Sequence, residues 1–230
     1  MLAVVIPSAG KGERLGAKVP KQFLEINGIP ILGYTLQRFE KHPEIDAIIV
    51  ATSLEYQHKV KKIAEKLKIK KLFAVVEGGK TRQQSVFKGI LACPKSTKLV
   101  LVHDAVRPFV SAKLVSRIIN AVKKYKAVVP AIPVRDALQK VSDNKIIHPV
   151  DRTGLYHIQT PQAGEYELLK NTLERAEKEG KTFPDESSLL KHYGYEVRIV
   201  EGEFINFKIT YPEDFVLAES LINCKIEALT

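Results

Sequence analysis

The stretch Leu2-Ala3-Val4-Val5-Ile6-Pro7-Ser8-Ala9-Gly10-Lys11-Gly12-Glu13-Arg14-Leu15-Gly16 decides the fold class of this chain. Its first five residues form a short apolar run bounded by turn residues, which is typical of a fully buried β-strand. Three glycines then follow within seven residues and allow the backbone to turn tightly and to approach a ligand closely. Four cationic side chains fall between Lys11 and Lys21. Together these features predict a turn that binds phosphate groups.

The spacing of the glycines differs from that of two well-known phosphate-binding loops. A dinucleotide fingerprint that begins at Gly10 needs a third glycine where this chain has Leu15. A phosphate loop of the G-x-x-x-x-G-K-[ST] kind needs a Gly-Lys-Ser or Gly-Lys-Thr step, which is absent at that spacing. On local features alone, an ordinary glycine-rich turn between a strand and a helix remains the alternative.

The length and composition are those of one α/β domain spanning residues 1–230, which can bury a core without disulfide bonds. Cys93 and Cys224 are isolated in the sequence, so neither a disulfide framework nor a paired-cysteine zinc site is indicated. The N-terminus lacks a leader pattern, and no apolar run approaches the ~18 residues of a membrane span. We therefore expect a cytoplasmic location and no membrane contact.

The formal net charge of +10 could indicate nucleic acid binding. Many of the lysines, however, lie on the solvated face of a helix-like segment at residues 58–68, in which Val60, Ile63 and Leu67 mark the buried stripe. The chain has no tryptophan and no interleaved basic and aromatic residues. The charge therefore favours a polyanionic small molecule over nucleic acid.

The alternation of strand-like and helix-like segments predicts a Rossmann-like, doubly wound, mostly parallel sheet. The predicted strands cover residues 2–6, 46–52, 72–76, 99–102, 127–132, 195–200 and 205–210. The predicted helices cover residues 31–41, 56–67, 114–125, 163–178 and 212–223, with one capped by Thr81 that turns Val86, Ile90 and Leu91 inward, and a short one opened by Pro184-Asp185-Glu186-Ser187. Ligands bind beyond the carboxyl ends of such strands, so the Gly10 loop, the Gly78-Gly79 turn and Asp104 are expected at one mouth.

The alternation is interrupted between residues 135 and 151. Two short stretches, 138–141 and 145–150, flank the polar sequence Ser142-Asp143-Asn144 and predict a projecting β-hairpin. The hairpin has few large apolar residues and could hardly be stable by itself. We therefore expect residues 135–151 to act as a dimerisation arm that packs on a second subunit.

Three groups of residues are candidates for chemistry. Asp104 follows an apolar strand and could hold Mg²⁺ against substrate phosphates, or simply cap a turn. The turn at residues 78–85 could read a base or ribose with free N–H groups and with the Ser85 hydroxyl, or be a plain connection. Arg152 and Lys208 could bind phosphate or be surface cations. His103 and His157 have no partner at metal-ligand spacing, which favours core or surface roles.

A series of motifs in chain order changes the balance between these alternatives. The motifs are Pro7-Ser8-Ala9-Gly10-x-Gly12-x-Arg14, Pro20-Lys21-Gln22, Val102-His103-Asp104-Ala105-x-Arg107-Pro108, Pro133-Val134-Arg135-Asp136, Val150-Asp151-Arg152-x-Gly154-Leu155, Thr160-Pro161-Gln162, Asp185-Glu186 and Lys208-x-Thr210-x-Pro212-Glu213-Asp214. From Pro7 to Asp214 the chain resembles the 2-C-methyl-D-erythritol 4-phosphate cytidylyltransferases, nucleotidyltransferases of the non-mevalonate isoprenoid pathway. The resemblance implies a fold of the nucleotide-diphospho-sugar transferase type.

The resemblance also implies a reaction and residue roles. CTP and methylerythritol phosphate would give the CDP-alcohol and pyrophosphate, with Mg²⁺ held by Asp104. Four cations, Arg14, Lys21, Arg152 and Lys208, would be catalytic, the first two at the α-phosphate and the other two at the substrate phosphate. The CTP site would comprise Ser8, Ala9, Gly10, Gly12, Gly79, Lys80, Ser85 and Ala105. Substrate contacts would come from Arg107, Asp136, Arg152, Thr160 and Lys208.

Members of this family form homodimers with embracing arms, which would make Arg152 a contribution from the partner subunit. The chain departs from the family pattern at Ala137 and Ile205, so we expect Asp136 or backbone groups to contact the alcohol.

Two alternative functions differ in the activity they predict. A cytidylyltransferase for another polyol phosphate, such as ribitol 5-phosphate, would have the same CTP half, whereas a non-catalytic nucleotide-binding module would have no activity at all.

Overall fold

A computed structural model describes residues 1–10 and 19–224 of the chain, so Gly12 and Arg14 lie outside the described residues. The strands are β1 Leu2–Pro7, β2 Glu25–Ile26, β3 Ile29–Pro30, β4 Ala47–Thr52, β5 Leu72–Glu77, β6 Leu99–Val102, β7 Ala127–Pro133, β8 Leu138–Ser142, β9 Lys145–Val150, β10 Tyr156–Ile158, β11 Gln162–Glu165 and β12 Arg198–Glu201. The helices are α1 Ile31–Lys41, α2 Gln57–Lys66, α3 Arg82–Leu91, α4 Ala112–Tyr125, α5 Tyr166–Lys178, α6 Glu186–His192 and α7 Pro212–Asn223. Among the described residues, no helix has the length and apolar character needed to cross a bilayer.

Among the described residues the central sheet has eight strands, and the side from β6 to β5 is parallel. Its order is β10-β7-β11-β6-β1-β4-β5, and β12 pairs with β7 as well. Strands β6, β1, β4 and β5 are parallel neighbours, with Val5 opposite both Ile49 and Val102. The predicted doubly wound sheet is therefore confirmed, with antiparallel pairing added by β10 and β11.

Helices cover both faces of the sheet because successive residues of each strand point to opposite sides. Val4 and Ile6 of β1 belong to a buried cluster that includes Leu36 of α1 and Ile118 of α4. Val5 points the other way, into a cluster that includes residues of α3, α5 and α6. Burial on both faces explains why β1 and β4 read as continuous apolar runs in the sequence.

The predicted helix over residues 163–178 is wrong at its start. Residues Gln162–Glu165 form β11, which lies antiparallel between β6 and β7, and the helix begins at Tyr166. A Cβ atom added to Gly164 would lie 2.9 Å from Cγ of Leu169, so α5 packs closely on this strand. Pairing with two neighbouring strands outweighs the local preference of a short segment of small residues.

Three other expectations need correction. Residues 205–210 form no strand. Ile209 donates its N–H to the carbonyl of Val106, and the carbonyl of Asn206 accepts from the Arg107 side chain. These backbone groups therefore take part in single contacts and not in the hydrogen-bond ladder of a sheet. The strand expected at residues 195–200 instead covers Arg198–Glu201. Leu91, expected to point inward, is 53% exposed because α3 ends there.

The predicted hairpin is confirmed. Strands β8 and β9 pair antiparallel, and the turn between them has positive φ at Asp143 (50°) and Asn144 (61°). Positive φ at both central residues gives the twist that a two-residue hairpin needs. The apolar side chains of Val141, Ile146 and Ile147 are all more than half exposed in the single chain.

Candidate active site

A cleft of about 740 Å³ opens at the carboxyl ends of β1, β5 and β6. It is lined by Pro7, Ser8, Ala9, Gly10, Lys21, Gln22, Gly79, Lys80, Thr81, Arg82, Ser85, Asp104, Ala105, Val106 and Lys208. Gly10, Gly79 and Asp104 therefore meet at one mouth, as parallel strands dictate. Four cations and one carboxylate stand among these described lining residues, which suits a polyanionic ligand.

The end of β1 forms a firmly held floor for the cleft. Ser8 donates its N–H to the carbonyl of Ala51, and the buried Gln22 amide donates to the carbonyls of Ser8 and Gly10. The Oγ atom of Ser8 is buried and has no hydrogen-bond partner among the described residues. An unpaired hydroxyl at a cleft is costly unless a ligand or water completes it.

Lys21 reaches the cleft from a short turn of helix at Lys21–Phe23. Its Nζ atom donates to the carbonyl of Ile209 over 3.0 Å, which joins the start of the chain to the segment that carries Lys208. Two of the predicted catalytic cations therefore lie on segments joined by a direct hydrogen bond.

Two N–H groups of the turn before α3 bond within the turn, so these two are not free for a ligand as expected. Gly79 donates to Oγ of Ser85, and Lys80 donates to Oε1 of Gln84, each over 3.0 Å. The Ser85 hydroxyl in turn donates to the carbonyl of Thr81, so it faces the cleft as an acceptor. A Cβ atom added to Gly78 would lie 2.5 Å from Cβ of Ala9, so the turn packs directly on the residues that follow β1.

Asp104 is 7% exposed and lies among three cations. Its Oδ1 atom is 3.2 Å from Nε of Arg82, and its Oδ2 atom is 3.3 Å from Nε of Arg107 and 3.1 Å from Nζ of Lys208. Burial acts to raise the pKa of Asp104, but Arg82, Lys208 and Arg107 outweigh it and hold that pKa well below its usual range. The carboxylate is therefore ionised at neutral pH.

The backbone around Asp104 is fixed by a chain of hydrogen bonds beneath the cleft. Asp104 donates its N–H to the Thr160 hydroxyl over 3.1 Å, and that hydroxyl lies 3.0 Å from Nδ1 of His103. The other ring nitrogen of His103 lies 3.0 Å from the carbonyl of Arg107, which can only accept. In the neutral ring Nε2 therefore carries the proton and Nδ1 accepts from Thr160. Burial lowers the pKa of His103 to about 4, which keeps the ring neutral.

Four predicted substrate contacts lie outside the lining of the cleft. Thr160 is 4% exposed and its hydroxyl is used by His103 and Asp104. Arg107 donates to the carbonyl of Asn206 and thereby holds the segment that leads to Lys208. Asp136 and Arg152 are exposed at the base of the hairpin, where the Arg152 guanidinium donates to the carbonyl of Arg135.

The comparisons with known proteins agree with this architecture. Residues 2–224 match the family model described as 2-C-methyl-D-erythritol 4-phosphate cytidylyltransferase. The chain belongs to this family. A cytidylyltransferase of that name from Halalkalibacterium halodurans is 37% identical over 220 residues, covering 96% of each chain. The crystal structure of the Thermus thermophilus cytidylyltransferase of the same name superimposes with a TM-score of 0.82 at 36% identity, covering 96% of this chain and 98% of that one.

One relative is a longer protein. The bifunctional enzyme IspD/IspF of Desulfotalea psychrophila is 39% identical over 227 residues. The chain spans 58% of the length of that relative, whereas it spans 96% of the cytidylyltransferase from Halalkalibacterium halodurans.

Sequence reasoning missed several residues of the cytidylyltransferase fold that shape the site. Arg82 lines the cleft and bridges Asp104 and Glu186. Gln22 holds the carbonyls of Ser8 and Gly10. His103 has the core role that was one of its two expected roles, but its hydrogen bonds beneath Asp104 were not anticipated. The motifs Pro20-Lys21-Gln22 and Asp185-Glu186 include two of these residues. The residues that Gln22 and Glu186 contact lie elsewhere in the sequence, so the motifs did not reveal the contacts.

Proposed function

We propose that this protein transfers the cytidylyl group of CTP to 2-C-methyl-D-erythritol 4-phosphate. The products are 4-diphosphocytidyl-2-C-methyl-D-erythritol and pyrophosphate, in the synthesis of isoprenoid precursors by the non-mevalonate pathway. The observation that carries the proposal is the cationic cleft around the ionised Asp104, in a chain that belongs to this family of cytidylyltransferases. A cytoplasmic location is part of the proposal, since CTP is supplied there.

The reaction joins two polyanions, so charge neutralisation and alignment are the main tasks. An oxygen of the methylerythritol phosphate forms a bond to the α-phosphorus of CTP, and the bond from that phosphorus to the oxygen bridging to the β-phosphate breaks. Lys21, together with Arg14, would stabilise the charge that develops at the α-phosphate. No side chain needs to act as a nucleophile.

The two halves of the cleft suit the two substrates. The segment Ser8–Gly10 with Gly12, and Ala105, would hold the nucleotide against the turn that contains Gly79, Lys80 and Ser85. Lys208, with Arg152, would bind the phosphate of the alcohol. Arg107 and Thr160 would serve substrate binding by holding the Asp104 and Lys208 segments in place.

Asp104 fits a role in holding Mg²⁺. It is the one carboxylate among the described residues that line the cleft, and hard carboxylate oxygens are what Mg²⁺ prefers. No group of three His, Cys, Asp or Glu side chains suited to a metal occurs in the described part of the chain, so the remaining ligands would be phosphate oxygens and water. When bound, Mg²⁺ would neutralise charge on the triphosphate.

A homodimer formed through the arm at residues 135–151 completes the proposal. Three apolar side chains on the hairpin are more than half exposed, and a second copy of the arm would cover them. Arg152 lies outside the lining of the cleft of its own chain, so it would serve the cleft of the partner.

Pyrophosphate release with separate alcohol phosphates tests the proposal. With CTP and Mg²⁺ present, we expect release with methylerythritol phosphate and none with ribitol 5-phosphate. Turnover on ribitol 5-phosphate alone would favour the related polyol enzyme. No turnover with either, despite CTP binding, would favour a non-catalytic nucleotide-binding module.

A further inference from the structure

A partly buried ion pair at the wall of the cleft has no role in the reaction as described so far. Nη1 and Nη2 of Arg82 lie 2.7 and 3.1 Å from the two carboxylate oxygens of Glu186. Glu186 is 4% exposed and begins α6, whose N-cap Asp185 accepts from the N–H of Ser188. Such a two-point contact fixes the plane of the guanidinium group as well as its position.

The same guanidinium also reaches Asp104. Its Nε atom lies 3.2 Å from Oδ1 of that carboxylate, while Oδ2 is approached by Arg107 and Lys208. Arg82 thus lies between two carboxylates, and Glu186 determines the direction from which it approaches Asp104. Because its two oxygens contact cations on different sides, the Asp104 carboxylate is held in one orientation.

Stability alone does not account for this arrangement. A well-packed apolar pair is often as stabilising as a buried ion pair, or more so. Arg82 lines the cleft, and its side chain is 27% exposed, so the pair is at the site and not deep in the core. Burial acts to lower the pKa of Arg82, but Glu186 and Asp104 together raise it above its ordinary value, so the bridging charge is permanent.

We propose that Glu186, acting through Arg82, is a positioning residue that orients the Asp104 carboxylate toward the reacting phosphates. This inference rests on the proposed function. Glu186 itself is expected to touch neither substrate, because its carboxylate is occupied by Arg82 and lies outside the lining of the cleft.

The decisive variant removes both members of the pair. Removing one member alone leaves a buried charge unpaired and lowers stability, whereas Arg82→Met/Glu186→Met replaces both with apolar side chains of similar reach. Arg82→Lys is the milder companion, because an ammonium group keeps the charge but cannot hold both carboxylates in a planar fork. The control is Arg175→Met/Glu179→Met, which removes another arginine–glutamate pair, at the C-terminal end of α5 and outside the lining of the cleft.

We expect the double variant to melt close to the wild type while its kcat falls roughly 10- to 100-fold, with KM for CTP little changed. We expect the same direction for Arg82→Lys and wild-type kcat for the control. A second readout is the affinity of the CTP-bound protein for Mn²⁺, measured by water-proton relaxation, which should weaken by about tenfold in the double variant.

A wild-type kcat in Arg82→Lys, or in a folded double variant, would overturn the inference. Unchanged Mn²⁺ affinity in the double variant would also contradict it. An inactive wild-type protein in the same assay would instead contradict the proposed function, so the two failures can be told apart.

Discussion

The Nζ atom of Lys208 lies 3.1 Å from Oδ2 of Asp104. This contact joins the loop after β6 to a segment without regular structure that lies more than 100 residues later in the chain. Lys208 keeps 36% of its side chain exposed, whereas Asp104 keeps 9%. The carboxylate therefore anchors a cation whose outer part still faces the cleft, where it can meet a phosphate.

The first prediction concerns the charge of Asp104. Asp104→Asn leaves Arg82, Arg107 and Lys208 without their shared counter-charge and removes the proposed metal ligand. We expect turnover to fall by roughly 10²-fold or more, measured as pyrophosphate release at saturating CTP. Glu65→Gln, the same chemical change on the solvent face of α2, is the control and should retain activity. Turnover within threefold of the wild type in Asp104→Asn would contradict the role given to this carboxylate.

The second prediction concerns a site shared between subunits. Lys21→Ala and Arg152→Ala should each lower turnover by roughly 10²-fold with the fold intact. Co-expressed with different tags, the two variants would form the proposed dimer in mixed pairs, in which one site has both Lys21 and the partner's Arg152. An equal random mixture should therefore recover about a quarter of wild-type activity. If purified heterodimers recover none, Arg152 does not serve the site of the other subunit.

The third prediction concerns the arm. Ile146 lies on β9 with 69% of its surface exposed, and Leu54 is exposed to the same extent before α2. Ile146→Asp places a charge where we expect apolar contact with a second subunit, so the mass measured by sedimentation should shift toward the monomer. Leu54→Asp should leave the dimer unchanged. A dimer that persists in Ile146→Asp at low micromolar concentration would argue against the arm as the interface.

The fourth prediction concerns His103 and pH. Its pKa is lowered to about 4 by burial, whereas the unfolded chain has an ordinary histidine pKa near 6.5. Below pH 6.5 the unfolded state binds a proton at His103 and the folded state does not. The free energy of unfolding is therefore undiminished above that pH and decreases as the pH falls toward 4. The loss from this one residue should reach about 3 kcal/mol in the free energy of unfolding.

Urea unfolding at pH 7 and pH 4.5 measures this effect. His103→Gln should reduce the dependence of stability on pH, while His58→Gln, a change at an exposed position on α2, should keep the wild-type dependence. Equal pH dependence in His103→Gln and the wild type would show that folding does not lower the pKa of His103.

Much of the fold could be read from the sequence where local signals and tertiary structure agree. Helix α1 covers residues 31–41 as predicted, and Thr81 accepts from the N–H of Gln84 as an N-cap. Strand β11 was missed because Ala163 and Gly164 carry no strand signal, and only pairing with β6 and β7 places them in the sheet. The segment at residues 205–210 has apolar alternation, but its backbone groups are used by side chains such as Arg107.

The site likewise has features that the sequence predicts and features that only the tertiary structure shows. Strand topology alone placed the Gly10 loop and Asp104 at one mouth, because both follow parallel strands. The pairing of Arg82 with Glu186 could not be anticipated, since a salt bridge between α3 and α6 leaves no periodic trace in the sequence. The use of the Thr160 hydroxyl beneath the cleft likewise depends on packing around His103.

The transfer of a labelled phosphate tests the central claim most directly. Protein, Mg²⁺, methylerythritol phosphate and CTP labelled in the α-phosphate are mixed, and the products are separated and identified by mass. We predict that the label appears in the cytidine diphosphate ester of methylerythritol and that the released pyrophosphate is unlabelled. No label should be bound covalently to the protein. Label retained in CTP, or found covalently on the protein, would contradict direct cytidylyl transfer between the two substrates.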